Sequence, residues 1–570
     1  MEKNRVLVIG LDGATPELVF PWAKEGKLPN IAKLIDGGAS GNLASTIPPV
    51  TAPAWVSFMT GKNPGKHGIV DFILRKQGTY DTTDFDTSHI MEGSGVDLSV
   101  VNAAIIDSKK IWNILSDHNK KVGLLHVPIT YPPEEVNGFM VSGLGTPGPK
   151  SNFTYPQSLR KKLLEDFGYK IHITELDVEN NEDVAIKDLH ETEQKRAEVA
   201  ISLMNSFEWD FFMVVFEGTD FVQHFFWKHT DPSHPAHNPE KAKKYKDAIL
   251  NCYQKLDNII GEILKNVNEN TTVIIMSDHG GGSLIKKFCI NKWLMYTNLL
   301  KLKKESKIGL NKEKIKSSLI KLGLKSILKK IPKNIRESIP DSNYTISDFD
   351  WTATKAYSCG GWSFIYINLE GREVNGIVKQ GSEYEDLRNY IIKELYNLKD
   401  PITKKNIVEK VYKREEIYHG ESLDKLPDLI VITDESIDCE QSIPKNDSLF
   451  VPPPIGKSGN HRKNGIVIIN GKNIQKGILL ENAEIIDLAP TILYIMDVPL
   501  PHDMDGKILK DAFNPNYYNS KPVLFKDPSL DKIHSDSEWT REDEEKVKER
   551  LRGLGYIEST TPPKDLNSTK

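Results

Sequence analysis

Six acidic and histidine side chains stand in short segments next to hydrophobic, β-branched runs. They are Asp12, Asp220, His224, Asp278, His279 and His461. In open parallel sheets, ligands bind in the crevice outside the carboxyl ends of the strands, where residues from separate strands can meet. Carboxylate oxygens and imidazole nitrogens suit borderline divalent metals such as zinc or manganese. The set therefore predicts a metal site at one edge of a sheet.

The spacing inside two of these segments adds detail. Asp220 and His224 are four residues apart in EGTDFVQH, so on a helix they project from one face and could share a metal. Asp278 and His279 are adjacent in SDHGGG and could point at two different metals. Each segment also has an ordinary explanation: Asp12 as a turn or cap residue, the spaced pair as a surface pair, and the histidine of GNHR as a surface residue. The complete set favours metal binding.

Thr51 is the candidate nucleophile. It lies in IPPVTAPAWVSFMTG, where prolines favour an extended entry and the apolar run predicts a helix that begins at Thr51. Backbone N–H groups and the helix dipole favour anions at such a terminus. A free threonine hydroxyl is a poor nucleophile, so catalysis would need a metal to lower its pKa. The alternative is that Thr51 only caps the helix.

The elements that must position these residues alternate along the chain. Apolar runs predict the strands Arg5–Leu11, Val122–Val127, Phe139–Ser142, Asp210–Phe216, Thr272–Met276, Leu429–Thr433 and Gly465–Ile469. Helical patterns cover Ser108–Asn119, Glu191–Phe207, Pro239–Asn266 and Ile485–Met496. This alternation predicts an α/β fold with a mostly parallel central sheet and helices on both faces.

The predicted core spans residues 1–300 and 341–510, with an irregular excursion at 68–107. Two further segments, an insertion and a C-terminal extension, are added to it. Residues 301–340 are a basic helical insertion, with 13 Lys/Arg against two Glu between 301 and 336. We expect a lid helix there; contact of 301–336 with an anionic membrane surface or an anionic substrate is the alternative. Residues 511–570 predict a C-terminal extension with a charged helix and a disordered tail from 559. Whether that helix docks on the core or on a partner stays open.

Composition excludes several classes of protein. The 570 residues carry 74 basic and 79 acidic side chains, a formal net charge of −5, which argues against a specific nucleic-acid binder. Four widely separated cysteines without a C-x-x-C pair argue against a disulfide framework and a thiolate zinc site. The sequence shows no signal-peptide pattern and no bilayer-length apolar run, so we expect a cytoplasmic protein. The oligomeric state is left open.

The motifs together resemble the type I phosphodiesterase/nucleotide pyrophosphatase branch of the alkaline phosphatase superfamily. The resemblance rests on VLVIGLDG, PPVTAPAW with TGKNPGKHGI after it, EGTDFVQH, SDHGGG, and GNHR followed by GIVIING. It covers roughly residues 5–510 and implies an alkaline phosphatase-like core.

The resemblance also implies a role for each site residue. Two sets match the zinc ligands of that family: Asp220, His224 and His461 in one, and Asp12, Asp278 and His279 in the other. It further implies that Thr51 bridges toward the second metal, attacks phosphorus in line and forms a phosphothreonine intermediate, which water activated by the other metal hydrolyses. The expected protein is a hydrolase that uses two divalent metal ions, zinc or manganese, on a small phosphate-ester substrate.

The chain departs from the family pattern at one position. Nucleotide pyrophosphatases of the family usually carry asparagine three residues after the nucleophile, where this chain has Ala54 followed by Trp55. Another donor must hold that phosphate oxygen: backbone N–H groups at the helix start, or Lys62, Lys66, Lys457 or Arg462. The C/S-x-P-x-R sequence of sulfatases is absent. A phosphodiesterase/pyrophosphatase is therefore favoured; a phosphomonoesterase of the same superfamily or a metal-binding scaffold without turnover are the alternatives.

Overall fold

The computed structural model describes residues 4–75, 99–106, 108–173, 178–303, 344, 346–444, 448–528 and 539–554. Its strands are β1 Arg5–Leu11, β2 Ala39–Ala44, β3 Ile73–Leu74, β4 Ser99–Val100, β5 Val122–Val127, β6 Gly138–Ser142, β7 Thr154–Tyr155, β8 Phe211–Phe216, β9 Thr271–Met276, β10 Gly280–Ser283, β11 Lys286–Cys289, β12 Ala356–Tyr357, β13 Phe364–Ile367, β14 Val408–Lys413, β15 Leu429–Thr433, β16 Ile437–Glu440, β17 Phe450–Val451, β18 Gly459–Arg462, β19 Asn464–Asn470, β20 Ile478–Glu484, β21 Leu500–Pro501 and β22 Phe525–Lys526. Its α-helices are α1 Pro16–Lys24, α2 Pro29–Asp36, α3 Thr51–Thr60, α4 Pro64–His67, α5 Ile111–Asp117, α6 Ser158–Phe167, α7 Glu182–Ser206, α8 Gly218–Thr230, α9 Pro239–Tyr245, α10 Ala248–Leu264, α11 Ile290–Tyr296, α12 Ser382–Asn397, α13 Arg414–Ile417, α14 Leu488–Ile495, α15 Pro515–Ser520 and α16 Arg541–Gly553.

The largest sheet in the described residues has nine strands in the order β20-β2-β19-β9-β1-β8-β5-β6-β7. Strands β9, β1, β8, β5 and β6 run parallel to one another, while β19 runs antiparallel between β9 and β2. The predicted α/β fold with a mostly parallel central sheet is confirmed. The parallel strands bring the chain segments after β1, β8 and β9 to one edge of the sheet.

Both faces of this sheet are covered, which explains why its central strands lack polar alternation. Val6 and Val8 of β1 face a core shared with α3, α5 and α14, whereas Leu7 and Ile9 face a core shared with α2, α7, α8 and α10. Successive side chains of a strand point to opposite faces, so a run such as RVLVIGL serves two cores at once.

Three sequence predictions differ from the structure in detail. The helix expected over Glu191–Phe207 begins nine residues earlier, as α7 Glu182–Ser206. The strand Leu429–Thr433 exists, but it lies in a smaller antiparallel sheet of order β12-β13-β15-β14. Hydrophobic periodicity identifies a strand without identifying its sheet, which long-range pairing decides. The single helix expected over Pro239–Asn266 is two helices, α9 and α10, separated at Lys246 and Asp247.

The C-terminal extension returns to the core. Helix α16 begins with a capping box between Thr540 and Asp543 and buries Val547 and Leu551 in the core on the α3 side of the sheet. Trp539 packs on Tyr131 with ring centroids 5.9 Å apart. The sequence leaves open whether this helix docks on the core or on a partner, and the structure shows that it docks on the core.

Several sequence predictions fall on residues that the structure does not describe. The basic insertion 301–340 and its membrane contact lie outside the described residues, apart from 301–303, as does the tail 559–570. Of the excursion at 68–107, the structure describes its two ends, where β3 and β4 pair antiparallel. The proposed domain boundaries therefore stay predictions. In the described parts of the chain, no helix is both long and apolar enough to cross a membrane.

Candidate active site

Thr51 is the first residue of α3 and is fully buried. Val50 occupies the N-cap position and Thr51 is the first residue inside the helix, so Thr51 is not the capping residue. Instead, the Thr51 hydroxyl Oγ1 lies 3.1 Å from Nε2 of His279. The nucleophile candidate and a metal-ligand candidate are thus in direct contact, although 228 residues separate them in the chain.

Asp12, Asp278 and His279 form a first group of donor atoms beside Thr51. Their ligand atoms all lie within 4.8 Å of one another, and all three residues are buried. His279 Nε2 is 3.3 Å from Asp278 Oδ2 and 3.7 Å from Asp12 Oδ1. Asp12 follows β1 and Asp278 follows β9, its parallel neighbour, so the sheet order itself brings the two carboxylates together.

Asp220 and His461 form a second group of donor atoms together with His279, which belongs to both groups, and His224 lies next to Asp220 and His461. Asp220 and His224 share one face of α8, with Oδ2 and Nε2 3.2 Å apart. His461 Nε2 lies 3.1 Å from His224 Nε2 and 3.6 Å from Asp220 Oδ1. His461 is not a surface residue: it is buried on β18, which pairs with β10 directly after SDH. All seven residues singled out from the sequence therefore meet at one place.

The three histidines are held in the same way. Each directs Nδ1 to a backbone carbonyl: His224 to Gly459 at 2.8 Å, His461 to Pro49 at 2.9 Å, and His279 to Gly280 at 2.9 Å. A carbonyl oxygen only accepts, so Nδ1 carries the proton and Nε2 keeps its lone pair. Such fixed tautomers are typical of metal-binding histidines, whose other nitrogen is held by an outer-shell acceptor.

The buried carboxylates interact strongly with their surroundings. Burial, and then the charges of Asp278 and Asp220, raise the pKa of Asp12 well above its ordinary value. Burial also raises the pKa of Asp278 to about 6. For Asp220, burial acts in the same direction, but the adjacent histidines, His224 foremost, lower its pKa below the ordinary value. A site with three carboxylates this close gains stability from added positive charge.

The residues present fit divalent cations. Asp12 Oδ1 and Asp278 Oδ2 are buried oxygens that accept no hydrogen bond, although buried polar atoms in proteins are nearly always satisfied. Both face His279 Nε2 at ligand spacing. Oxygen and nitrogen donors in this mixture suit zinc or manganese. A cation bound by the first group would therefore give these two carboxylate oxygens the partner that they lack.

Trp55 is a site residue whose role the sequence does not reveal. Its indole Nε1 donates to Asp12 Oδ2 over 3.1 Å, and the side chain is fully buried. Gly10 makes room for the ring, since a Cβ at that position would lie 2.7 Å from a Trp55 ring carbon. The sequence draws attention to Trp55 only because it follows Ala54, which stands where the family usually has asparagine. Nothing in the sequence indicates that the indole contacts Asp12.

Lys62, Lys66 and Arg462, three of the side chains considered for the phosphate oxygen, bind other groups of the protein. Lys62 pairs with Asp503 and Lys66 with Asp505, each at 2.5 Å. Arg462 donates to the carbonyls of Ser283 at 2.6 Å and His461 at 2.9 Å. These contacts give the three side chains structural roles.

A buried charged network fixes the start of α8, which carries Asp220. Glu217 precedes the helix, with Oε1 2.8 Å from His126 Nε2 and Oε2 3.7 Å from Arg196 Nη2. Arg196 also pairs with Glu193 at 2.9 Å, and Glu193 in turn accepts from the Gly218 N–H at 2.6 Å. The network is one of several long-range features that sequence reasoning missed.

The geometry supports one type of chemistry. A buried hydroxyl at a helix N-terminus contacts His279, which belongs to two adjoining groups of metal-type donors. Two cations, if bound by these groups, would stabilise the attacking and the leaving oxygen of an in-line displacement at phosphorus. The helix start also favours an anionic substrate.

Comparison with known proteins agrees with this chemistry. A family model described as "Type I phosphodiesterase / nucleotide pyrophosphatase" matches residues 6–461. Among curated proteins, no sequence matches the chain. Among solved structures, phosphonoacetate hydrolase from Sinorhizobium meliloti 1021 has a TM-score of 0.50 and 13% identity over 87% of this chain and 100% of its own. Human ectonucleotide pyrophosphatase/phosphodiesterase 5 has a TM-score of 0.46 and 12% identity over 90% and 100%.

Proposed function

Because the chain belongs to the type I phosphodiesterase/nucleotide pyrophosphatase family and is a hydrolase of phosphoester bonds, we propose that it cleaves a small phosphodiester with Thr51 as nucleophile and two divalent metal ions, zinc or manganese, as cofactors. The metal ligands we propose are Asp220, His224 and His461 for one ion, and Asp12, Asp278 and His279 for the other, with Thr51 adjoining the second.

One observation carries this proposal. The Thr51 hydroxyl lies 3.1 Å from His279 Nε2, and the carboxylate oxygens that face the same nitrogen, Asp12 Oδ1 and Asp278 Oδ2, accept no hydrogen bond. A scaffold protein without turnover has no need for a buried hydroxyl at this point. The arrangement therefore favours an enzyme over a metal-binding scaffold.

The chain's own residues prepare Thr51 for attack. Since Nδ1 of His279 donates to the Gly280 carbonyl, Nε2 keeps its one lone pair for the proposed cation, and the Thr51 hydroxyl would lose its proton to solvent and not to His279. The position at the start of α3 stabilises an alkoxide and the phosphate oxygens through the helix N–H groups and dipole. Attack of Thr51 Oγ1 on phosphorus forms the P–O bond of a phosphothreonine as the P–O bond to the leaving group breaks. Bound cations supply Lewis-acid stabilisation of the attacking and leaving oxygens.

A phosphodiester is favoured over a phosphomonoester because the family model describes phosphodiesterases. A monoester carries one more charged oxygen, which needs a further donor. Lys62 and Lys66 point to Asp503 and Asp505, and Ala54 stands where the family's asparagine would lie. With Lys62 and Lys66 paired to carboxylates and alanine at position 54, three donors that the further oxygen could use are removed, which favours a diester.

The proposal is tested with bis(4-nitrophenyl) phosphate and 4-nitrophenyl phosphate after dialysis and reloading with zinc or manganese. We expect metal-dependent release of nitrophenolate, faster from the diester. Thr60→Ala is the matched control for Thr51→Ala. Thr60 is a buried threonine at the other end of α3, and its hydroxyl donates to the Val56 carbonyl at 2.7 Å.

Three results are informative. Activity that depends on metal, survives Thr60→Ala and favours the diester supports the proposal. Faster release from the monoester supports the phosphomonoesterase alternative. Stoichiometric metal binding without hydrolysis of either compound, or of any diester in a panel with different leaving groups, favours the scaffold.

A further inference from the structure

A small cavity lies beside the metal-ligand candidates of α8. Asp220 and His224 form one part of its wall, and Glu217 and His172 form another. Its free volume is about 20 Å³, whereas a buried water needs roughly 10–15 Å³ and two to four polar partners. The cavity therefore has room for one water molecule and for no larger group.

His172 offers this cavity a hydrogen-bond acceptor. Its Nε2 lies 2.9 Å from the Thr146 carbonyl oxygen, and a carbonyl only accepts, so Nε2 carries the proton. Burial, and then the charge of Arg550, lower the pKa of His172 well below its ordinary value. The imidazole is therefore neutral and Nδ1 keeps a lone pair. In the described part of the chain, this Nδ1 atom is buried and accepts no hydrogen bond.

Glu217 offers a second acceptor. Its Oε1 lies 2.8 Å from His126 Nε2, but the two atoms are not aligned for a hydrogen bond, and Oε1 accepts none from the described residues. Buried polar atoms are nearly always paired, so two unpaired acceptors in the wall of one cavity indicate a missing donor. A water molecule fits the volume and donates two hydrogens, one for each acceptor.

The C-terminal helix contributes to the same cavity. Arg550 of α16 and Leu554, the residue directly after α16, belong to the wall, and the helix is anchored by the buried Val547 and Leu551. This segment lies outside residues 6–461, which match the family model. Part of the cavity is thus built from a region of the chain that the family model does not cover.

The position of the cavity relates it to the second half of the proposed reaction. Thr51 contacts His279, which shares a donor group with Asp220, whereas Thr51 itself does not line the cavity. Displacement at phosphorus is in line, so a water that releases a phosphoryl group from Thr51 attacks from the side opposite Oγ1. A water whose two hydrogens point to His172 and Glu217 keeps its oxygen lone pairs for that attack.

We infer that the cavity binds one water molecule, that His172 Nδ1 and Glu217 Oε1 accept its two hydrogens, and that this water hydrolyses the phosphothreonine at Thr51. The inference rests on the proposed function. In this step the water oxygen forms a bond to phosphorus and the bond from phosphorus to Thr51 Oγ1 breaks. One water proton passes to solvent, and Oγ1 takes up one proton from solvent. His172 and Glu217 are positioning residues for this half of the reaction and have no role in the first half.

Substitution of His172 should separate the two halves of the reaction. With bis(4-nitrophenyl) phosphate and the metal-loaded, full-length protein, His172→Leu should release one nitrophenolate per chain and then turn over about 100-fold more slowly, the cost of losing orientation. Mass spectrometry of the intact protein should show the nitrophenyl phosphate group retained on Thr51. His172→Asn, which keeps an acceptor oxygen near the position of Nδ1, should recover part of the turnover.

His229→Leu is the matched control. His229 is a buried histidine of α8 whose two ring nitrogens make no hydrogen bond in the described part of the chain, and it does not line the cavity. This variant should turn over like the wild type and retain no group on Thr51.

A crystal structure of the metal-loaded protein supplies a readout that is independent of turnover. One ordered water should lie within about 3.2 Å of both His172 Nδ1 and Glu217 Oε1. An empty cavity would overturn the inference. So would a folded His172→Leu variant that turns over as fast as the wild type, or one that loses the first nitrophenolate together with the later turnover. Failure of the proposed function is recognised separately, as a wild type that releases no nitrophenolate with any metal.

Discussion

Trp55→Phe should weaken metal binding although Trp55 is not itself a ligand. The substitution keeps an aromatic ring next to Gly10 but removes the Nε1–H that donates to Asp12 Oδ2 over 3.1 Å. This hydrogen bond lowers the pKa of Asp12, against the effect of burial, and so favours its charged form. It also fixes which carboxylate oxygen faces His279.

The size of the effect follows from the type of contact. A hydrogen bond to a charged group contributes about 1.5–3 kcal/mol, and about 1.4 kcal/mol corresponds to a tenfold change in an equilibrium constant. We therefore expect metal affinity to fall by about 10- to 100-fold, the range typical of outer-shell substitutions. Activity at saturating metal should recover most of its wild-type value.

The assay is a titration of metal-free protein with zinc in a competing chelator. Trp112→Phe provides the control, since Trp112 is equally buried and its Nε1 donates over 3.1 Å to the carboxylate of Glu134, which is not one of the metal-ligand candidates. Both variants should lose similar thermal stability, but Trp112→Phe should bind zinc normally. Zinc affinity of Trp55→Phe within threefold of wild type would refute the reasoning.

Two further predictions concern stability. Arg196→Met should destabilise the fold by about 3–5 kcal/mol in urea unfolding, because it leaves the buried Glu193 carboxylate uncompensated; a loss below 1 kcal/mol would contradict this role. His67 is buried, and burial and then Lys62 lower its pKa from 6.5 to about 3. Because the unfolded chain binds a proton there first, stability should decline by up to about 1.4 kcal/mol per unit as pH falls from 6.5 toward 3. His67→Gln should reduce that slope, measured by unfolding between pH 6 and 4; an unchanged slope would exclude His67 as its source.

The sequence predicts much of the fold because the central strands are buried on both faces. Such strands appear as uninterrupted apolar runs, and the predicted bounds of β1 and β5 agree with the structure. The sheet of β15 could not be predicted, because strand pairing depends on contacts distant in the chain. The division of α9 from α10 was equally invisible, since the apolar pattern continues across Lys246.

The site residues that directly follow the ends of strands could be predicted from the sequence. Asp12 and Asp278 lie beyond neighbouring parallel strands, so identifying the strands locates both. The side chains that contact these carboxylates from other parts of the chain could not be located in this way. The indole of Trp55 reaches Asp12 through tertiary packing, and the pairing of Lys62 with Asp503 spans 441 residues. No local pattern records contacts of this kind.

Hydrolysis by Thr51→Ala and Thr51→Ser at equal, measured metal content tests the role of the nucleophile most directly. With bis(4-nitrophenyl) phosphate as substrate, we expect Thr51→Ala to lose at least 1000-fold in kcat/KM, about 4 kcal/mol of transition-state stabilisation, while it binds metal as the wild type does. Thr51→Ser, which keeps a hydroxyl at the start of α3, should retain measurable turnover. Thr51→Ala activity within tenfold of wild type would contradict covalent catalysis by Thr51.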